Sequence, residues 1–176
     1  MRMLAFFVLI FGMLPVTATA TIWPIKAGAR WTYEITNIGF SPACAPGESS
    51  LVIHDVREES DAMYFTGTTE CGYRFENKVV DDRFYIPYQD IWYLFLDKPQ
   101  DQHTYVGFRS LYKYESIATF DVPAGTFTNC WLQTQLVSYQ HQRIYCDGVG
   151  KIWEKHIDMS GSGFEIKLKN WSADPG

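Results

Sequence analysis

From Ala29 onward, apolar and polar positions alternate with a period of two, and turn-forming residues interrupt the alternation at short intervals. In Ala29 to Thr36 (ARWTYEIT), Trp31, Tyr33 and Ile35 fall on one side of an extended chain, with Thr32 and Glu34 on the other. The final segment, Phe164 to Trp171, repeats the pattern: Phe164, Ile166 and Leu168 point one way, Glu165, Lys167 and Lys169 the other. Between these ends the same reading predicts strands at Leu51 to Arg57, Ala62 to Thr69, Gly72 to Val80, Arg83 to Tyr88, Ile91 to Leu96, Tyr112 to Val122, Phe127 to Val137, Arg143 to Cys146 and Lys151 to Ile157. Glu58 to Asp61, Asp81-Asp82, Pro123 to Gly125, Ser138 to Gln142 and Ser160 to Gly163 supply the turns, and Asp97 to Gln102 a polar loop. No segment sustains a helical period. The prediction is an all-β, antiparallel domain spanning residues 21–176. Half of most strands is polar, so one face of the sheet is wet. A strongly curved sheet or incomplete barrel would bury the aromatic face and leave few open edges; a two-sheet β-sandwich is the alternative.

The first twenty residues break the pattern. Arg2 precedes an unbroken apolar run, Leu4 to Leu14, Pro15 ends it, and Ala18-Thr19-Ala20 offers small residues where a signal peptidase reads. Residues 1–20 are therefore read as a secretory signal peptide cleaved near Ala20. The run is too short to span a bilayer, so the mature chain is expected in the periplasm or medium without stable membrane insertion. Export gives the cysteines a meaning. Cys44, Cys71, Cys130 and Cys146 form an even set in an oxidising compartment. Of the three possible pairings, Cys44–Cys71 and Cys130–Cys146 would each staple a local hairpin, with loop closure stabilising by about 3 kcal/mol apiece.

Composition narrows the function. Apolar residues at 47% afford a core, and a net charge of −5 argues against a nucleic-acid partner. His54, His103, His141 and His156 are scattered, no CxxC occurs, and no cluster has metal-ligand spacing, so no metal or cofactor is expected. No nucleophile elbow, phosphate loop or HExxH is present, and the chain is read as non-enzymatic. The surplus is aromatic, at 16% of residues. Tyr85, Tyr88, Trp92, Tyr93 and Phe95 crowd one short stretch, and Ile91 to Leu96 (IWYLFL) is apolar on both faces. Either that strand is covered on both sides, or one face waits for a ligand. The five aromatics are the candidate binding residues, for an apolar small molecule or an envelope protein. An acidic inhibitor or immunity-type protein that plugs a basic cleft is the alternative.

Two motifs remain. One is Pro24-Ile25-Lys26-Ala27-Gly28-Ala29-Arg30-Trp31-Thr32-Tyr33; the other is Val122-Pro123-Ala124-Gly125-Thr126-Phe127, followed by Gly148-Val149-Gly150. Together they resemble a broad set of bacterial exported proteins and lipoproteins of unknown function. The set carries a P-x-x-x-G-x-x-W-x-Y opening and a later V-P-A-G-T-F … G-V-G pair. The resemblance implies a β-rich half-barrel and supplies no catalytic residue. Gly28, Trp31, Tyr33, Pro123, Gly125, Phe127, Gly148 and Gly150 are then structural. Gly125 is expected at positive φ or in a crowded turn, Phe127 begins an inward-facing strand, and Gly148 and Gly150 let a partner strand approach closely.

Overall fold

A computed structural model describes residues 22–40, 44–137 and 140–174. The signal-peptide reading lies outside the described residues. Twelve strands are seen among them: β1 Arg30–Ile38, β2 Gly47–Glu59, β3 Ala62–Thr68, β4 Arg74–Val80, β5 Arg83–Tyr88, β6 Ile91–Leu96, β7 Thr104–Gly107, β8 Ser110–Val122, β9 Gly125–Gln135, β10 Gln140–Cys146, β11 Gly150–Ile157 and β12 Gly163–Ser172. No helix among the described residues is long and apolar enough to cross a membrane.

All strands join one antiparallel sheet in the order β6-β5-β4-β3-β2-β1-β12-β11-β10-β9-β8-β7. Two six-strand meanders are thus sewn together where the first strand pairs with the last. The sheet is nearly closed into a barrel. Its two edge strands, β6 and β7, are consecutive in the chain, and they converge: Phe108 N–H donates to the Leu94 carbonyl over 2.8 Å. The tip of the β8–β9 hairpin reaches across to β12, with Ala124 N–H donating to the Leu168 carbonyl over 3.0 Å. The curved sheet is the observed form, and the sandwich is not.

Local chemistry explains the sharp turns. Asp81-Asp82 and Gln89-Asp90 join adjacent strands with two residues each, all four at positive φ, the mirror-image turns whose twist suits a hairpin. Pro123-Ala124 closes β8 onto β9, and Gly125 follows at φ 129° with open space around it. Its positive φ is as expected, but no crowding accompanies it. Ser160 to Gly163 turns as expected, with Asp158 Oδ1 accepting from the Ser160 amide, the Ser160 hydroxyl and the Ser162 amide.

Both expected disulfides are present. Cys130 and Cys146 are direct cross-strand partners on β9 and β10, with Cα atoms 4.1 Å apart. Cys44–Cys71 ties the segment before β2 to the turn after β3.

The expected inward faces are buried: Trp31, Tyr33 and Ile35 on β1, Phe164, Ile166 and Leu168 on β12. The two motifs meet there. Trp31 Nε1 donates to the Val149 carbonyl over 2.6 Å, and Tyr33 Oη donates to the Lys151 carbonyl over 2.8 Å. The opening motif thus bonds the backbone within and just after Gly148-Val149-Gly150, reaching past β12 through the interior. Phe127 is half-buried against the core. The expected role of the later glycines changes. Gly148 has open space beside its Cα, and what approaches Gly150 is the Trp23 side chain, not a partner strand.

Three elements differ from the sequence pattern. β10 begins at Gln140, so Gln140 to Gln142, expected in the turn, instead pair with Lys155 to Ile157 of β11. β2 begins at Gly47, earlier than Leu51, because Gly47 to Ser50 pair with the inner half of β1. β7 has no counterpart among the predicted strands: four residues are too few to show alternation, and β7 is held by pairing with β8 and by the seam to β6.

Candidate functional site

A cavity of about 260 Å³ opens inside the barrel. Its walls are apolar: Leu51 and Ile53 of β2, Phe65 of β3, Phe75 of β4, Phe84 and Ile86 of β5, and Phe95 of β6, with Trp23 from the segment preceding β1. These side chains face inward because alternate positions of neighbouring antiparallel strands share a face. β4 and β5 pair only from Lys78 to Val80, so the first half of β4 stands away from β5 and leaves an opening beside Phe75 and Asn77.

The floor is charged. Glu70 from the β3–β4 turn, Arg143 of β10, and Lys151 and Glu154 of β11 converge there, although Glu70 and Lys151 are 81 residues apart. Lys151 Nζ donates to Glu70 Oε1 and to Glu154 Oε2, each at 2.5 Å. Arg143 Nε donates to Glu154 Oε1 over 3.1 Å, and His141 Nε2 lies 2.6 Å from the same oxygen. The four side chains at these ion pairs are each no more than 12% exposed. Burial opposes the charge on Glu154, but Lys151, Arg143 and His141 outweigh it and hold the carboxyl well below its usual range. Burial likewise opposes the charge on Lys151, yet Glu154 and Glu70 raise its pKa. Burial, then the Arg143 charge, lowers the His141 pKa from 6.5 to about 4. At neutral pH the ring is uncharged, and a proton on Nε2 lets it donate to Glu154.

The floor connects to the seam. Arg143 Nη1 donates to Gln133 Oε1 over 3.1 Å, Gln133 Nε2 to the Tyr105 hydroxyl, and Tyr105 Oη to the Phe95 carbonyl over 2.9 Å. The Arg143 guanidinium also lies 5.1 Å from the centre of the Phe95 ring. At the seam loop, burial disfavours an ionised Asp97, but hydrogen bonds from His103, Arg83 and the Lys98 amide lower its pKa.

The five aromatics singled out in the sequence divide between two faces. Phe95 lines the cavity. Tyr88 and Tyr93 share the inner face, packing with Phe108 at ring separations of 5.3 and 5.4 Å near the seam, and Arg109 sits 4.2 Å above Tyr88. Tyr85 and Trp92 lie on the opposite face, where Lys78 approaches both rings and Tyr64 meets Trp92 edge-on at 5.9 Å. Both faces of IWYLFL are therefore at least partly covered within the fold. The residues missed by sequence reasoning are those of the floor. The signal available was a lysine and a glutamate, Lys151 and Glu154, flanking the apolar pair Ile152-Trp153 on β11.

No family model matches the sequence, and no curated protein is significantly similar to it. Solved structures do resemble the fold. One, from Bacteroides fragilis, is named as an exported protein with a YmcC-like fold; it is 11% identical, the match covers 87% of this chain and 99% of that one, and the TM-score is 0.50. A structure named as a lipoprotein, from Parabacteroides distasonis, is 11% identical over 87% of this chain and 99% of that one, with a TM-score of 0.46. MucB in complex with MucA(peri) is 16% identical over 85% of this chain and 52% of that one, with a TM-score of 0.36.

Proposed function

We propose that this chain is an exported, non-enzymatic binding protein that takes an apolar ligand, or an apolar segment of an envelope partner, into its incomplete barrel. The observation that carries the reading is the cavity of about 260 Å³, walled by Trp23, Phe65, Phe75, Phe84, Ile86 and Phe95 and entered beside the unpaired half of β4. A small concave site with apolar walls and a few convergent polar groups is the usual form of a ligand pocket. Its volume suits one short chain or ring system. The buried ion pairs at the floor consume one another's charge, which equips them to orient a ligand better than to perform general acid–base work. Export is supported by the pattern of residues 1–20, by the cysteine pairing, and by the names of the similar structures.

The test uses the secreted mature protein and N-phenyl-1-naphthylamine, a neutral apolar fluorophore. Saturable enhancement is expected, and Ile86→Trp, which fills the cavity from its wall, should abolish it while leaving the protein folded. Enhancement that is non-saturable, or unchanged in Ile86→Trp, would remove the cavity as the site.

A further inference from the structure

A second cavity, of about 330 Å³, continues the first along the same inner face. There β3, β4 and β5 present their side chains in rows across the strands. Met63, Val79 and Phe84 pair across one row, and Phe65 and Asn77 across the next, two residues further along β3. Rows so spaced lie about 7 Å apart. Met63 and Val79 line the second cavity, Phe65 and Asn77 the first. Ile22, Ile25, Met63 and Val79 make the second space apolar, and its two charged members are taken up by ion pairs, Lys26 with Asp174 and Asp82 with Lys98.

Among the described residues the two cavities share only Trp23 and Phe84, whose ring centroids are 6.0 Å apart. These rings form the partition. Phe84 is set in β5 and 4% exposed. Trp23 comes from the irregular segment before β1, with its indole against Gly150 and edge-on to Trp31. At roughly 30 Å³ for a group of water or methylene size, the first cavity holds about nine carbons. From this arrangement we infer that Trp23 is a specificity-determining residue: the ligand is an unbranched hydrocarbon chain of about that length, and the indole bars longer chains from the second cavity. This rests on the first cavity being the binding site.

The experiment is competition against N-phenyl-1-naphthylamine by straight-chain primary alcohols from hexanol to tetradecanol. Each added carbon should improve displacement about fourfold. The gain should cease where the chain fills the first cavity, at about nine carbons. In Trp23→Leu the two spaces join, and the gain should continue toward the longest alcohols. Met63→Trp fills the second cavity alone, so it should leave the parent series unaltered and cancel the gain in Trp23→Leu. A break at the same length in parent and Trp23→Leu overturns the inference while leaving the first cavity as the site. A parent series with no break, or one that Met63→Trp shortens, overturns it too, since chains would already be passing Trp23. No saturable fluorophore binding at all defeats the underlying reading, and the inference falls with it. Should Trp23→Leu fail to fold, Trp23→Phe, which shortens the partition by one ring, is read in the same way.

Discussion

Trp23 occupies the space that a side chain at Gly150 would need: a Cβ there would lie 2.7 Å from the indole Cδ1. The ring also meets Trp31 edge-on at 5.7 Å and packs beside Phe84 and Tyr145. A segment with no regular structure of its own is thereby fixed over the barrel interior, and it forms one wall of the cavity.

Gly150→Ala should therefore act twice. Gly150 has φ 93°, which an alanine adopts at a cost, and the added methyl displaces the indole. The expected loss is about 2 kcal/mol or more in urea unfolding, with altered tryptophan emission. Gly125→Ala is the control: it shares a positive φ but has open space, so its loss should stay near 1 kcal/mol. Equal losses at the two positions would mean that Trp23 yields freely.

Lys151→Met tests the floor. It leaves Glu70 and Glu154 buried without their shared cation, and an abandoned buried charge costs about 3–5 kcal/mol. Chemical denaturation at pH 7 measures it. Replacing Glu70 together with Lys151 by apolar residues should recover a part of that loss, because the desolvation of both groups is then avoided. A single variant as stable as the parent would show the pairs to be energetically idle.

Acid should weaken the fold in two stages. The folded-state pKa of His141 lies below its ordinary value, about 4 against 6.5, so folded protein binds fewer protons than unfolded chain in that interval. Its contribution is fully present above pH 6.5 and is lost as pH falls from 6.5 toward 4, amounting to roughly 3 kcal/mol. Glu154, also depressed, adds a further loss below about pH 4.5. Stability measured at half-unit steps should fall across the first window, and His141→Gln, which keeps a donor to Glu154 and does not titrate, should flatten it. A slope that survives the substitution would reassign the acid sensitivity to other groups.

Trp92 and Phe95 separate the two faces of β6. Phe95→Ala should weaken fluorophore binding about tenfold by removing a wall of the cavity, whereas Trp92→Ala should leave it unchanged. Dependence on Trp92 without dependence on Phe95 would move the site to the outer face, beside Tyr64 and Lys78.

What the sequence discloses depends on how local the cause is. Trp31, Tyr33 and Ile35 alternate within one strand, and Cys130 and Cys146 flank one hairpin, so strand faces and bridges could be read directly. The charged floor could not. Lys151 and Glu154, three apart on β11, would fall on opposite faces of a regular strand; the bulge opposite Ile144 and Tyr145 turns both inward, where Glu70, far away in the chain, meets Lys151. Arg143 is similarly indistinguishable from a solvated arginine. The run IWYLFL is visibly apolar on both faces, but which of its rings line a cavity follows from the offset at the bulge opposite Phe84 and Tyr85, where Phe95 is the extra residue.

The pairing of β1 with β12 has a kinetic meaning. Trp31 lies opposite Trp171, so the strand made first waits at an unsatisfied edge until the strand made last arrives. Each meander can assemble from neighbours, but the junction between them joins the two ends of the chain and closes the largest loop available. Until that event the core has no middle. A chain lacking β12 would thus not merely fray at an edge: it would part along the centre line, exposing the edges of β1 and β11 to pairing with other chains.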